Sequence, residues 1–235
     1  MSHLESQEGI ASWFDQTYDR KAFAYLRPLE AYPVFLQLAG ASAGEKLLDV
    51  ACGPGLLLKA ASLRGIQPTG IDISKRALEI GRDYVPDAEL HEGNAEELPF
   101  EDGSFDVVTC IGAIERFLDR PRALREMRRV AKEDGRLCFM VRNAQTLMWT
   151  VWKRWFGMQN RAGHQDALGL EQWTELFAEN GLAVERVVMD QWLRQRLRRV
   201  LRGFRPRDLT KDEAIAEPWI PLRYTNEFIF VLRKA

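Results

Sequence analysis

Short apolar segments alternate with amphipathic segments through the middle of the chain. Strands are predicted at 46–50, 68–73, 88–91, 105–110 and 136–142, between turn-forming residues. Helices are predicted at 55–63, 75–83 and 120–131, where apolar residues recur at helical spacing. Strands and helices that alternate in this order predict an α/β fold with a parallel, doubly wound sheet.

The first part of the chain follows a different pattern. Aromatic and charged residues are mixed up to Gly40, which predicts one or two helices lying over the rest of the protein as a lid. We therefore expect one domain with three parts: a helical lid at 1–43, a cofactor-binding core at 44–142, and elements at 143–235 that face a substrate and close the sheet.

The last part of the chain predicts fewer regular elements. A helix at Glu171–Glu179 ends at Gly181, and strands at Val184–Asp190 and Glu227–Leu232 would complete the sheet. The insertion between these two strands is longer than a simple connection needs. It begins with Gln191–Arg202, where apolar residues at helical spacing predict inserted helical structure.

Two segments of this last part are candidates for a cap over the substrate. Leu147–Phe156 contains three tryptophans, and seven arginines lie between Arg194 and Arg207. The arginine-rich segment has three interpretations: a solvated face packed on the core, a surface for an anionic membrane or lipid-like substrate, or a nucleic-acid surface. We predict that both segments cap a bulky, largely apolar acceptor, with peripheral membrane contact as an open alternative.

Composition narrows the range of partners. A net charge of −1 over 235 residues creates no global field that would attract nucleic acid or a membrane. Cys52, Cys110 and Cys138 form no CxxC pair, and no apolar run approaches the roughly 18 residues of a membrane span. Without a recognisable secretory prefix, we expect a cytoplasmic protein with reduced thiols.

The most informative motif joins the first strand to the first helix. It reads Asp49-x-Ala51-x-Gly53-x-Gly55, and side-chain-poor residues there let the backbone approach a ligand. A dinucleotide-binding loop would have a third glycine where Leu58 stands, and Asp49 would repel a phosphate. The motif therefore favours a ligand that carries a positive charge and no phosphate.

A second acidic residue completes this pattern. Asp72 lies at the end of the second predicted strand, next to its last residue Ile73, and a carboxylate there can accept hydrogen bonds from both hydroxyls of a ribose. A ligand with a ribose and a cation but no phosphate describes S-adenosylmethionine. We therefore predict S-adenosylmethionine as the cofactor.

Five motifs stand in order along the core. They are DVACGPG at 49–55, GIDIS at 70–74, GNAEELPF at 93–100, FDVVTC at 105–110 and LREMRRVAKEDGRL at 124–137. Together they resemble the class I S-adenosylmethionine-dependent methyltransferases, in the group that includes ubiquinone and menaquinone biosynthetic enzymes. The resemblance implies a Rossmann-like sheet of seven strands, mostly parallel with an antiparallel last strand.

The resemblance also implies roles for single residues. Asp49 would face the ammonium group of the cofactor, while the turn backbone lines its methionine part. Asn94 stands where the family usually has an Asp that contacts the adenine amino group, and Ala95 would lie beside it. Cys110 and Ile111, at the end of the fourth strand, would border the sulfur that carries the methyl group.

One motif departs from the family. Relatives often have Glu-His-x-x-Asp where this chain has Glu115-Arg116, and in some of them that acid and histidine are implicated in holding a divalent cation. Because Arg116 replaces the best ligand, we predict metal-independent methyl transfer. An oxygen or carbon acceptor would need a base, for which His164 and Glu115 are candidates. Tyr18 is a third candidate, as a residue that closes over the site.

Two other function classes stay open on the sequence alone. A dehydrogenase would bind a nicotinamide cofactor in the same type of fold, although the third glycine is missing. A non-catalytic protein would bind S-adenosylmethionine through Asp49 and Asp72 without an acceptor pocket, because a fold does not determine a reaction.

Overall fold

The computed structural model describes residues 6–146, 167–190, 208–215 and 221–235. Its strands are β1 (Lys46–Val50), β2 (Gln67–Asp72), β3 (Glu89–Glu92), β4 (Phe105–Ile111), β5 (Ala131–Arg142), β6 (Leu182–Met189) and β7 (Glu227–Lys234). They form one seven-stranded sheet in the order β3-β2-β1-β4-β5-β7-β6. Strands β1 to β5 pair in parallel, and β7 is antiparallel to both of its neighbours. The predicted fold class is confirmed.

Six α-helices are described around this sheet. They are α1 (Gln7–Lys21), α2 (Pro33–Leu38), α3 (Leu56–Ser62), α4 (Lys75–Tyr84), α5 (Arg120–Val130) and α6 (Leu170–Glu179). Side chains at the N-cap position accept a backbone hydrogen bond in three of them. The acceptors are Ser6 Oγ for Gly9 N at 3.2 Å, Ser74 Oγ for Ala77 N at 3.1 Å and Asp119 Oδ1 for Arg122 N at 2.9 Å. Each cap satisfies a backbone N–H that has no partner within its helix.

The fifth strand begins earlier than the sequence pattern predicts. We expected a strand from 136, but β5 starts at Ala131, directly after α5. Phe105 of β4 pairs with Ala131 and Val107 pairs with Arg136, so residues 132–135 form an irregularity in the strand. Three of those four residues are charged and the fourth is Gly135, so this stretch has no apolar pattern that predicts a strand.

Apolar side chains cover both faces of the sheet. On one face, Trp173 and Phe177 of α6 are fully buried with Phe139 of β5. On the other face, Phe35 and Leu36 of α2 pack with residues of α3 and β1. Because helices cover both faces of the sheet, a ligand can reach the sheet only at an edge, and the carboxyl ends of the parallel strands form such an edge.

Part of the insertion between β6 and β7 is held on the face formed by α2 and α3. Arg64 Nη1 lies 2.8 Å from Asp212 Oδ1, and Gln37 Nε2 donates to the Glu213 carbonyl at 2.8 Å. The predicted cap segments, Leu147–Phe156 and Gln191–Arg202, lie outside the described residues, as does His164. No helix in the described ranges is long and apolar enough to cross a membrane.

Candidate functional site

The site lies where the strand order reverses. Strand β1 is flanked by β2 on one side and by β4 on the other, and the chain leaves their carboxyl ends in opposite directions. A crevice forms at such a switch point in open α/β sheets, and ligands bind there. The loop after β1, the end of β2 and the end of β4 all meet at this crevice.

The loop from β1 to α3 requires left-handed backbone at three positions. The φ angles are +60° at Ala51, +54° at Gly53 and +83° at Gly55, and α3 begins at the next residue. Glycine adopts this conformation without steric cost, whereas in Ala51 the methyl group makes this conformation sterically unfavourable. A strained non-glycine residue of this kind is typical of functional loops.

A side chain at Gly53 would also collide with the lid. A Cβ atom at Gly53 would lie 2.7 Å from the hydroxyl oxygen of Tyr18 on α1. Tyr18 is buried, and burial followed by the charge of Asp72 raises the pKa of its phenol well above the ordinary value. The phenol therefore keeps its proton at neutral pH and is a hydrogen-bond donor rather than a base.

Asp72 is held at the centre of this arrangement. Its Oδ2 accepts a hydrogen bond from Gly53 N at 2.7 Å, and its Oδ1 accepts one from Ser74 N at 2.8 Å. These bonds lower the pKa of the carboxyl group, but burial outweighs them and raises it to about 6. The backbone thus fixes a carboxylate at the end of β2, and the carboxylate borders the cavity described below.

Asp49 lies deeper than Asp72. It is buried in β1, where its Oδ1 accepts a hydrogen bond from Thr109 Oγ1 of β4 at 2.7 Å. Burial raises the pKa of this carboxyl group to about 7, although the Thr109 bond opposes the change. The nearby negative charge of Asp72 contributes to this rise in pKa.

The lid is fastened to the first turn of α4. Asp15 Oδ1 accepts hydrogen bonds from Ser74 Oγ at 2.6 Å and from Arg76 N at 3.0 Å. Asp19 pairs with Arg76 at 2.7 Å. An acidic side chain at a helix N-terminus is stabilised by the helix dipole, so α1 is anchored directly beside Asp72.

A cavity of about 540 Å³ lies between the lid and the carboxyl edge of the sheet. Seven predicted site residues line it: Tyr18, Ala51, Asp72, Ile73, Asn94, Ala95 and Ile111. Asp49, Gly53, Gly55 and Cys110 are close by but do not line it, and Cys110 is fully buried in β4. The cavity continues along the sheet edge to Met140 and Arg142 of β5 and Glu227 of β7.

Asn94 is already engaged by its own turn. Its Oδ1 accepts a hydrogen bond from Glu96 N at 3.0 Å, which fixes the side chain at the edge of the cavity. An amide oxygen has a second lone pair, so it can accept another hydrogen bond from a ligand.

Glu115 occupies a structural position. It is buried, it does not line the cavity, and its Oε1 accepts a hydrogen bond from the backbone N–H of Arg142. Its Oε2 has no hydrogen-bond partner among the described residues. Arg116, the next residue, does line the cavity. No group of three His, Cys, Asp or Glu side chains within the described ranges is arranged to hold a metal ion.

Sequence reasoning missed a charged group at the far end of the cavity. Arg27 pairs with Asp190 at 2.9 Å and with Glu227, and Arg142 lies 3.9 Å from Glu227. The sequence positions of Arg142 and Glu227 could have indicated this group, because both residues lie at the strand ends that face the crevice. The aromatic residues Trp13, Phe14 and Tyr25 of the lid segment line the same cavity.

The sequence of this core is similar to that of known methyltransferases. The model of a family described as "Methyltransferase domain" matches residues 48–139, from β1 to β5. The chain is 41% identical over 98 residues to a demethylmenaquinone methyltransferase of Thermotoga maritima, covering 41% of this chain and 43% of that protein. It is 31% identical over 149 residues to a ubiquinone biosynthesis O-methyltransferase of Chromobacterium violaceum, covering 59% and 62%. Each match spans less than two thirds of the relative's length.

A solved structure shares the fold over nearly the whole chain. The magnesium protoporphyrin IX methyltransferase of Synechocystis PCC 6803, determined with bound S-adenosylhomocysteine, superimposes with a TM-score of 0.69 at 15% identity. The superposition covers 98% of this chain and 100% of that one. At this identity the likeness supports the fold alone.

Proposed function

Because this chain belongs to the class I S-adenosylmethionine-dependent methyltransferases, we propose that it transfers the methyl group of S-adenosylmethionine to a small, lipophilic acceptor and releases S-adenosylhomocysteine. One observation carries the proposal: a single cavity runs from Asp72 and Asn94, which suit the cofactor's nucleoside, to a wall of aromatic and basic residues. Cofactor and acceptor would thus share one cavity. S-adenosylmethionine is the cofactor of this family.

The fixed groups at the sheet edge suit the parts of the cofactor. Asp72 would accept hydrogen bonds from the ribose hydroxyls, and Asn94 with Ala95 would hold the adenine. Asp49 would lie behind the loop and attract the ammonium group, directly or through water. The Gly53–Gly55 turn would line the methionine part and Ile111 the sulfonium. Cys110, fully buried, would support this wall rather than touch the cofactor.

Beyond binding the cofactor, methyl transfer requires few catalytic groups from the protein. The reaction is a displacement in which nucleophile, methyl carbon and sulfur lie in line, so proximity and orientation supply most of the barrier reduction. Tyr18, protonated and buried over the loop, would act as a donor that positions the cofactor or acceptor. Glu115 would act indirectly, by holding the strand at Arg142. His164 stays a candidate base outside the described residues.

The far half of the cavity supports an apolar acceptor. Phe14 and Tyr25 from the lid segment, Phe117 after β4 and Met140 of β5 contribute apolar surface there. Pockets with mostly apolar walls and a few polar groups are typical of sites for small organic ligands. The relatives' names, demethylmenaquinone and ubiquinone methyltransferases, are consistent with a quinol or phenol of this character.

Activity assays test this proposal directly. The purified protein is incubated with S-adenosylmethionine and either a short-chain demethylmenaquinol or a dihydroxyphenol with a short prenyl chain. We expect S-adenosylhomocysteine and methylated product in equal amounts, and a quinol with no free acceptor atom serves as the control. Binding of the cofactor without methylation of any lipophilic phenol or quinol, with or without a carboxylate group, would contradict the proposal and favour a non-catalytic binding protein.

The same assay tests metal independence. Arg116 stands where relatives often have a ligand histidine, so excess chelator should leave turnover unchanged. Activity that disappears with chelator and returns with Mg²⁺ would show that this prediction is wrong.

Cofactor binding should depend on pH through Asp72. The pKa of its carboxyl group is about 6 in the unliganded protein, and only the ionised form accepts two hydroxyl hydrogen bonds. The affinity for S-adenosylhomocysteine should therefore fall by about tenfold between about pH 7 and about pH 5. Calorimetric titrations across this range measure the change, and an affinity that is constant with pH would contradict it.

The unliganded protein should respond to pH in the opposite direction. Asp49 and Asp72 have a higher pKa in the folded chain than the ordinary value near 4, so the folded state binds more protons between about pH 7 and about pH 4. Their contribution to the free energy of unfolding therefore rises as the pH falls through this window. Urea denaturation of wild type and Asp49→Asn at both pH values isolates the Asp49 part.

A further inference from the structure

Arg116 is held with its guanidinium at the cavity. It follows β4 in a short 3₁₀ turn (Ile114–Arg116), and its Nη1 donates a hydrogen bond to the carbonyl of Gly112. The guanidinium carbon lies 5.6 Å from the ring centre of Phe14 on the lid. A carbonyl and an aromatic face thus orient the group on two sides, while its remaining N–H donors are not used by those two contacts.

Arg116 differs in its ion pairs from Arg27 and Arg142, the other two partly buried arginines that line the cavity. Arg27 is neutralised by Asp190 and Glu227, and Arg142 lies beside Glu227. Among the described residues, no carboxylate lies within ion-pair distance of Arg116. A half-buried guanidinium without a carboxylate is costly, because its charge is partly removed from water and not compensated.

The neighbouring charge makes an anion more favourable still. The pKa of Arg142 is lowered, first by burial and then by the positive charge of Arg116. The two cations therefore repel each other across the cavity wall. Phe14, Phe117 and Met140 line the same space with apolar surface, and a less polar surrounding strengthens any interaction between a bound anion and these cations.

We infer that the methyl acceptor carries a carboxylate on an apolar body, and that Arg116 binds this carboxylate. The inference deepens the proposed function and rests on it. A carboxylate matches the planar N–H fork of a guanidinium and forms charge-assisted hydrogen bonds with it. The apolar body of the acceptor would lie along the aromatic walls, with its acid group at the end of β4.

Matched ligand pairs test this inference. A set of aromatic and aliphatic carboxylic acids, each beside its primary amide, is titrated into protein saturated with S-adenosylhomocysteine. We expect at least one acid to bind at least about tenfold more tightly than its amide, since hydrogen bonds to charged groups exceed neutral ones by about this much. In Arg116→Gln this preference should vanish while the affinity for the amide stays the same.

Control variants distinguish the effect of the charge of Arg116 in the cavity from the effect of a change in the net charge of the protein. Arg122→Gln removes a positive charge from an exposed side chain of α5 that pairs with exposed Glu97, and the acid preference should persist there. Arg116→Lys should restore part of the preference, because a charge remains without the planar fork.

The outcomes distinguish this inference from the proposed function. If S-adenosylhomocysteine does not bind, the proposed function fails with it. If it binds and no acid of the set is preferred over its amide, or if the preference survives in Arg116→Gln, the inference is overturned and the proposed function stands. A loss of S-adenosylhomocysteine affinity in Arg116→Gln would also overturn it, by assigning Arg116 to the cofactor's own carboxylate.

Discussion

Replacing Asp72 with Asn should weaken the binding of S-adenosylhomocysteine by about 10- to 100-fold, since hydrogen bonds to a charged group contribute about 1.5–3 kcal/mol. The amide has one oxygen, and its NH₂ group would face the N–H of Gly53 or Ser74, both of which now donate to the carboxylate. The substitution therefore removes a ribose acceptor and also disturbs the loop that lines the site. Isothermal calorimetry measures the change.

A matched control is available on the helix that follows. Asp83→Asn removes an exposed carboxylate of α4 and should leave the affinity unchanged. Circular dichroism should show the same secondary structure in both variants. An unchanged affinity in Asp72→Asn would mean that Asp72 only fastens the backbone of Gly53 and Ser74.

Replacing Trp173 with Ala should lower the free energy of unfolding by about 3–5 kcal/mol, the usual cost of deleting a large buried side chain. Trp173 is fully buried and stacks on Phe177 with ring centres 5.8 Å apart. Its indole N–H also donates to the carbonyl of Arg142 at 2.9 Å, which ties α6 to the strand that ends at the cavity. Urea denaturation measures the loss.

Trp173→Phe separates the two contributions. Phenylalanine keeps most of the apolar volume but loses the hydrogen bond, so we expect a loss of about 1 kcal/mol from that bond and an additional loss from the smaller ring. A cost below about 1 kcal/mol for Trp173→Ala would show that this side of the core repacks, contrary to our account.

The sheet was predictable because its signals are local. Apolar strands such as Lys46–Val50 and Phe105–Ile111 alternate with helices whose apolar residues recur at helical spacing. The start of β5 was not predictable, because residues 132–135 are too polar to read as a strand.

The cofactor side of the site was predictable for a similar reason. Ala51, Gly53 and Gly55 follow a strand at fixed spacing, and the structure places a left-handed backbone at each of them. Asp72 and Asn94 stand at strand ends of the same edge. The roles of these residues in binding stay predictions, although the cavity brings Ala51, Asp72 and Asn94 together.

The acceptor side could not be derived from local sequence. The pair of Arg27 and Asp190 joins residues 163 positions apart, and the pair of Arg27 and Glu227 joins residues 200 positions apart. No periodicity or motif encodes such a contact, because it depends on how lid and sheet pack. Likewise, only the structure shows that Arg116 lines the cavity while Glu115 does not.

Calorimetric titration of the unmodified protein with S-adenosylhomocysteine, beside NAD, tests the central claim most directly. We predict that S-adenosylhomocysteine binds once per chain and that NAD does not bind. At about a hundredfold excess over its dissociation constant, the ligand should raise the free energy of unfolding by about 2.7 kcal/mol. If neither S-adenosylhomocysteine nor S-adenosylmethionine binds, or if NAD binds as tightly, the assignment of this cavity to S-adenosylmethionine is wrong.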